Sequence, residues 1–445
     1  MKDCLSCTRI SRREMMKQAA SLAAFMAIAR RSDARIQSAG APVRGTARAC
    51  IFVYMTGAPS HLDTFDLKDA PWNPPDANIQ QFAGGVTLNV TLFPKLSQYA
   101  GDMCVLRSVR SWEAAHERGI FYMQTAHPAN PAFVAETPHI GAVVSLEKGG
   151  GGPMPPFIAP NGNSMQGSTF LGGSMSPMMA PANQGGLSTI EHNYFGTQSQ
   201  LRFEERFAML EELEAQPRAA AIDGTLKDHA AYYQSAKRLM YDPAIGSVFR
   251  FSNDENLRYG NSSLGRSAIV GRNAIQAKNG TAFVALNQGG WDTHQQMFDK
   301  TYAPNMYTLC RELDSAVGNL VEDLRASGDL ANTLIIMMGE FGRTPGPLNS
   351  RGGRDHHRDA MSVVMMGGGV RGGQVIGATD SNGASIIEPG WRGQRPIVME
   401  DIAATAYSAL GIDWTKSVHD TPSGRRFEYV PYGQAGLYTA IEEVF

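Results

Sequence analysis

The sequence predicts an α/β protein: a three-layer α/β/α sandwich with a mostly parallel β-sheet. Two observations lead to this fold class. Short, continuously apolar runs are each followed by a glycine-bearing loop, and helical stretches separate them along the chain. Continuously apolar strands are typical of a parallel sheet that is covered on both faces. We expect strands at 49–55, 103–109, 281–286, 333–338 and 362–366, in one domain over residues 45–430.

The helical and irregular segments of the domain follow from periodicity and composition. Between residues 306 and 324, leucine and valine recur every three or four positions, which predicts an amphipathic helix. Residues 199–241 are a predicted helical insertion, and 401–410 a closing helix that ends at a glycine. Residues 147–186 are rich in glycine, methionine and proline, so we expect an irregular excursion outside the sheet.

The composition excludes several classes of protein. The chain has 445 residues, with 40 Lys+Arg against 42 Asp+Glu, and it lacks the basic excess of nucleic-acid-binding proteins. No run of about 18 apolar residues exists, so no membrane-spanning helix is expected in the mature protein. Cys50, Cys104 and Cys310 are too few for a disulfide framework and are expected to be buried thiols.

The first 40 residues have the layout of an export signal. Arg12 and Arg13 precede the weakly apolar, alanine-rich stretch 18–29, and small residues follow it. This order is typical of a twin-arginine signal, which predicts a periplasmic or extracellular protein. The alternative interpretation is an ordinary amphipathic first helix.

Acidic and histidine side chains are concentrated at the predicted strand ends. Ligands of open α/β sheets bind at the carboxyl ends of the strands. Carboxylates and imidazoles from several segments therefore predict a divalent-metal site, for which zinc suits best and manganese, iron or calcium remain open. The alternatives are helix caps, or a salt-bridge cluster in which Arg343 and Arg354 balance the carboxylates. The candidate ligands are Asp63, Asp292, His294, Glu340, Asp355, His356 and His357.

The order of these motifs resembles a known family. The segments that carry the resemblance are 57–66, 289–294, 340–345, 353–357 and 367–373. They are similar to a bacterial exported family of sulfatase-like proteins, domain of unknown function 1501, of the alkaline-phosphatase superfamily. The resemblance implies an alkaline-phosphatase-like sandwich with metal at the carboxyl edge of the sheet. Its ligands would be Asp63, Asp292, His294 and one of the paired histidines.

Two departures from the superfamily pattern bear on the chemistry. Phe341 stands where a histidine ligand is usual, and Glu340 stands in place of an aspartate. No C-x-P-S-R or S-x-P-S-R stretch is present, so the formylglycine nucleophile of true sulfatases is absent. A single-metal or rearranged site is therefore expected.

Two functions remain open from the sequence. The first is a periplasmic, metal-dependent hydrolase of phosphate or sulfate esters, or of a related anionic group. Its substrate would be a small anionic compound or a carbohydrate ester. Ser60, Thr64 or a metal-bound water would attack, His116 would be the acid or base, and Arg343 would clamp the anion. The alternative is a non-catalytic or scaffold protein on a degenerate hydrolase fold. The sequence leaves the oligomeric state unknown.

Overall fold

A computed structural model describes residues 41–149, 151–162, 165–179, 182–183, 186–187, 199–220 and 243–445. The predicted signal segment lies outside these residues, and so does the part of the predicted helical insertion beyond residue 220. No helix in the described ranges is both long enough and apolar enough to cross a membrane.

An eight-stranded sheet forms the centre of the molecule. Its strands in chain order are Ala49–Met55 (β1), Met103–Val109 (β2), Phe157–Ala159 (β3), Met178–Met179 (β4), Phe283–Gln288 (β5), Thr333–Met338 (β6), Met361–Met366 (β7) and Gln374–Ile376 (β8). Across the sheet the order is β8–β2–β7–β6–β1–β5–β3–β4. The predicted fold class is thereby confirmed, and all five predicted strands are present.

One strand, β7, runs against the others. It is antiparallel to both neighbours, β6 and β2, whereas every other neighbouring pair in this sheet is parallel. Residues that precede β7 in the chain therefore lie at the edge where the parallel strands end. This reversal brings the segment before Met361 to the same edge as the residues that follow β1, β5 and β6.

The segment 147–186 contributes to the sheet, so the prediction that it lies outside is wrong. Phe157–Ala159 pairs with β5, and Met178–Met179 pairs with Phe157–Ala159 in turn. The three residues of β3 are buried. A run of three apolar residues is too short to give a clear strand signal among the surrounding glycines and prolines.

Helices lie on both faces of the sheet. The helices of the described residues are His116–Thr125 (α1), Ile140–Lys148 (α2), Ser199–Ala220 (α3), Pro243–Val248 (α4), Asn253–Arg258 (α5), Ser263–Ala277 (α6), Met306–Ala326 (α7) and Met399–Ala409 (α8). Ile51 and Val53 of β1 belong to the same core as the apolar stripes of α6 and α7. On the opposite face, the hydroxyl of Tyr54 lies 3.1 Å from Nε2 of His139, the residue that caps α2.

Buried side chains confirm two smaller predictions. The amphipathic helix predicted at 306–324 is α7, whose capping residue Asn305 accepts a hydrogen bond from the Thr308 N–H over 3.0 Å. The three cysteines outside the first 40 residues are free and buried.

Candidate metal centre

Three histidine rings converge on one carboxylate oxygen at the carboxyl edge of the sheet. Asp292 and His294 follow β5, His116 begins α1, and His356 lies before β7. The Nε2 atoms of His116, His294 and His356 lie 3.2, 2.9 and 3.4 Å from Oδ1 of Asp292. The Nε2 atoms of His294 and His356 are 3.1 Å apart. Four donor atoms from three separate segments thus surround one point.

The other ring nitrogen of each histidine contacts a group that can only accept a hydrogen bond. Nδ1 lies 2.7 Å from Oε1 of Glu340 for His116, and 2.6 Å from Oδ1 of Asp355 for His294. For His356 the partner is a backbone carbonyl oxygen, at 2.7 Å. Each Nδ1 must carry a proton to make these bonds. In the neutral ring, Nε2 then presents a lone pair to the centre.

The arrangement fits a divalent cation. Three lone pairs directed at an ionised carboxylate repel one another and the oxygen, and Nε2 of His116 is buried without a hydrogen-bond partner. One donor atom each from His116, Asp292 and His356 lies within 4.8 Å of the other two. A cation bound there would supply the missing partner, and imidazole with carboxylate is a donor set that zinc accepts. The structure therefore provides a possible site for a divalent metal.

Arg343 fixes the charge and position of Asp292. Its fully buried guanidinium donates to Asp292 Oδ1 over 2.6 Å and lies 3.5 Å from Nε2 of His294, and its remaining bonds go to backbone oxygens of neighbouring loops. Partial burial of Asp292 acts to raise its pKa, but the hydrogen bond and charge of Arg343 lower that pKa to about 2. The role of Arg343 as an anion clamp stays a prediction, and this geometry leaves it no free donor.

Glu340 and Asp355 lie behind the histidines rather than at their Nε2 atoms. The buried carboxylate of Glu340 accepts the N–H groups of Gly57 and Ala58 over 3.0 and 3.2 Å as well as Nδ1 of His116. The hydrogen bond that His116 donates to Glu340 raises the pKa of His116. The half-exposed carboxylate of Asp355 contacts Nδ1 of His294. Both carboxylates thus orient a ring, as second partners of metal-binding histidines commonly do.

The remaining predicted site residues lie away from this centre, and Ser60, Asp63 and Thr64 form a separate buried group. Asp63 accepts from Nε of Arg354 over 2.6 Å and from the Ser60 hydroxyl over 2.5 Å. The Thr64 hydroxyl donates to the Ser60 carbonyl over 2.7 Å. Nε2 of His357 lies 2.9 Å from a backbone carbonyl oxygen. No contact recorded among the described residues joins the side chains of this group to the Nε2 atoms around Asp292.

The sequence left open a divalent-metal site and a salt-bridge cluster, and the structure contains features of both. A buried ion pair balances Asp63 through Arg354, and a second arginine, Arg343, balances Asp292. Paired arginines explain the carboxylates, but they do not explain why three Nε2 atoms lie around Oδ1 of Asp292. The convergence of the rings favours metal at this point.

The fold and the geometry thus define an α/β/α protein with a candidate metal centre at the carboxyl edge of its sheet. The chain belongs to the family described as "Protein of unknown function (DUF1501)", which it matches over residues 47–435. This confirms the family predicted from the motifs. No curated protein matches the sequence significantly.

Several solved structures are similar to this chain at low identity. The PsFucS1 sulfatase from Pseudoalteromonas sp. is 12% identical with a TM-score of 0.35, covering 83% of this chain and 68% of its own. An alkaline-phosphatase-superfamily protein from Vibrio parahaemolyticus is 10% identical, with TM-score 0.37 and coverage of 84% and 69%. The phosphonate monoester hydrolase SpPMH from Silicibacter pomeroyi is 12% identical, with TM-score 0.37 and coverage of 82% and 73%.

Proposed function

We propose that the protein is a metal-dependent hydrolase of phosphate or sulfate esters, or of a related anionic group. The observation that supports this most directly is the convergence of three Nε2 atoms on Oδ1 of Asp292. His116, His294, His356 and Asp292 would hold the ion, with zinc the best match and manganese, iron or calcium as alternatives. A bound divalent cation neutralises charge on the transferred group and lowers the pKa of water.

Groups of the protein orient the histidine rings of this centre, and the centre itself is exposed to solvent. Glu340, Asp355 and the Ala114 carbonyl hold the rings through Nδ1, so the Nε2 atoms face the centre before an ion arrives. The side chains of Asp292 and His294 are 44% and 30% exposed. The centre is therefore accessible from solvent, as a substrate site requires.

Neither predicted side-chain nucleophile faces this centre. Ser60 is buried and donates to Asp63, and the buried Thr64 hydroxyl donates to a backbone carbonyl. This arrangement supports water as the attacking group. It also keeps the second function open, a non-catalytic or scaffold protein that retains the metal.

Metal content and turnover separate the two functions. Purified protein should contain about one zinc, manganese, iron or calcium ion by elemental analysis, and should hydrolyse 4-nitrophenyl phosphate or 4-nitrophenyl sulfate. His356→Ala should abolish both properties, and the matched variant His357→Ala should retain both. Metal without turnover of any ester would support the scaffold function. Absence of metal after incubation with each ion would contradict the proposal.

We further propose that the protein acts in the periplasm after export through residues 1–40. The sequence is the support for this location, through Arg12 and Arg13 before a weakly apolar stretch. A hydrolase there would act without a formylglycine nucleophile.

A further inference from the structure

The loop between β2 and α1 carries an exposed aromatic side chain beside the candidate metal centre. Trp112 is 40% exposed, and the other four tryptophans of the chain are buried or partly buried. Two residues later, the Ala114 carbonyl accepts the hydrogen bond from Nδ1 of His356 over 2.7 Å. Because adjacent Cα atoms are about 3.8 Å apart, the Cα atom of Trp112 lies within about 8 Å of that of Ala114. The indole is thus carried by the loop that also positions two of the histidines.

The loop that carries Trp112 is well anchored. The N–H of Arg110 donates to the Ile397 carbonyl over 2.9 Å, and the N–H of Ser111 donates to the Arg358 carbonyl over 2.9 Å. The buried Ser111 hydroxyl accepts from the Glu113 N–H over 3.2 Å. An aromatic side chain on a fixed loop loses little conformational entropy when a ligand packs on it.

Two arginines that form no ion pair among the described residues lie on this loop and on the segment hydrogen-bonded to it. The guanidinium of Arg110 lies over the Trp112 ring, 4.2 Å from its centroid, and its buried Nε has no hydrogen-bond partner. Arg358 is exposed and lies beside Ser111. Neither arginine forms an ion pair within the described ranges, and the nearest carboxylate along the loop, that of Glu113, pairs with Arg118 instead. The guanidinium groups of Arg110 and Arg358 thus lack an acidic partner in the described part of the chain, and their backbone segments are held in place by hydrogen bonds. Such an arrangement favours an anionic ligand.

We propose that Arg110, Trp112 and Arg358 form a subsite for the sugar ring of a carbohydrate that carries sulfate or phosphate groups. The apolar C–H face of a pyranose would pack on the indole, and the two arginines would bind an anionic substituent. This inference rests on the proposed function, because it places the subsite next to the centre where the ester would be cleaved. It makes the carbohydrate ester, rather than a small acyclic anion, the substrate class.

The test is binding of glucose 6-sulfate and glucose 6-phosphate, with glucose as the uncharged probe. Dissociation constants are measured by calorimetry on the full-length protein after removal of metal by a chelator, so that no turnover interferes. Trp112→Ala should weaken both esters about tenfold, and Trp112→Phe should bind within about threefold of wild type because it keeps an aromatic face. The double variant Arg110→Gln/Arg358→Gln should lose about tenfold and most of the salt dependence.

Matched controls exclude a general surface effect. Tyr432 is an exposed aromatic and Arg311 an exposed arginine outside this loop, so Tyr432→Ala and Arg311→Gln should bind as wild type does. Unaltered thermal unfolding of each variant shows that the fold is intact. The subsite is overturned if Trp112→Ala and the double variant bind both esters like wild type, or if the controls lose as much.

Kinetics on the metal-loaded protein, set beside these binding data, keep the two proposals apart. If the binding pattern holds but the metal-loaded protein hydrolyses no ester, the subsite stands and the proposed hydrolase fails. If esters are hydrolysed with the same KM for sugar esters in wild type and in Trp112→Ala, the hydrolase stands and the subsite fails.

Discussion

Nδ1 of His116 donates to Oε1 of Glu340 over 2.7 Å, and the carboxylate of Glu340 is itself held by two backbone N–H groups that follow β1. The first residue of α1 is thus tied to the loop after β6 and to the loop after β1. Because Glu340 is fully buried, this bond is protected from competition by water. The orientation of the His116 ring is therefore a property of the folded chain, and it does not depend on a bound ion.

Replacing Glu340 by Gln should weaken metal binding without removing a proposed ligand. The amide is a poorer acceptor for Nδ1, so ring orientation and ligand basicity both fall, and affinity should drop about 10–100-fold. Competition with a zinc-binding dye measures the change. Glu400→Gln, a buried replacement of the same kind on α8, is the control and should leave metal affinity unchanged. Equal affinity in Glu340→Gln and wild type would contradict the orienting role.

Asp63 and Asp292 should respond in opposite ways to replacement by Asn. Asp63 pairs with the fully buried Arg354, so Asp63→Asn leaves a buried charge unpaired and should lower the free energy of unfolding by about 3–5 kcal/mol. Metal content per folded molecule should stay at the wild-type level. Asp292→Asn keeps an oxygen acceptor for Arg343 but loses the anionic ligand. Because Asp292 is 44% exposed whereas Asp63 is buried, this variant should lose metal with a smaller loss of stability than Asp63→Asn.

Urea unfolding followed by circular dichroism, together with elemental analysis, measures both quantities for the two aspartate variants. Loss of metal in Asp63→Asn at conditions where it is folded would show that Asp63 is a ligand after all, as the family resemblance implied.

Ser60→Ala should retain the hydrolytic turnover of the wild type within about threefold. The Ser60 hydroxyl is buried and bonded to Asp63, so its removal should affect stability, by about 1 kcal/mol for a lost hydrogen bond, rather than chemistry. Steady-state kinetics with 4-nitrophenyl phosphate measures the effect, and Thr64→Val serves as the second variant. A loss of several orders of magnitude in kcat for Ser60→Ala would identify Ser60 as the nucleophile.

Stability should fall as the pH rises from about 5 to 8, through Glu400. Burial raises the pKa of this carboxyl to about 7, so the folded chain holds the proton there while the unfolded chain ionises near the ordinary value. The folded state therefore loses stability between the two pKa values, by about 3 kcal/mol once the pH exceeds 7. In Glu400→Gln this contribution is absent. The difference between variant and wild type in urea midpoints at pH 5 and pH 8 checks the sign, since an equal difference at both would contradict it.

Replacing Arg12 and Arg13 together by Lys should block export. Twin-arginine recognition requires the guanidinium pair, so the precursor should accumulate in the cytoplasmic fraction while wild type reaches the periplasm. Immunoblots of the two fractions measure the ratio. The control is Lys17→Arg, which exchanges the same two residue types outside the arginine pair and should be exported like wild type. Unchanged export of the double variant would refute the signal.

Much of the fold was predictable because apolar runs mark buried strands. The runs at 49–55 and 333–338 became β1 and β6 with the predicted bounds. The direction of β7 was not predictable, since a one-dimensional pattern records where a strand begins and ends and not which way it runs. The short strand Phe157–Ala159 was missed because burial on both faces comes from neighbours distant in sequence.

The candidate site was predictable in its residues and less so in their roles. His116 was expected to be an acid or base, yet its Nε2 faces Asp292 together with the other rings. Glu340 and Asp63 were expected as ligands, whereas the structure places one behind a ring and the other against Arg354. Spacing along the chain shows which side chains reach an edge of the sheet. It does not show which lie within 3 Å of one another.

A small two-stranded ribbon, Gly342–Arg343 with His356–His357, sets which of the two adjacent histidines faces the centre. Arg343 stands opposite His356, and Gly342 opposite His357. Neighbouring residues of a strand point to opposite sides, so a slip of one residue would exchange the two rings. The connection through residues 344–355 can therefore tolerate insertion only where the pairing is preserved. The pairing of these two strands therefore fixes their register. A loop grafted between them for protein engineering has to keep Arg343 and His356 opposite each other.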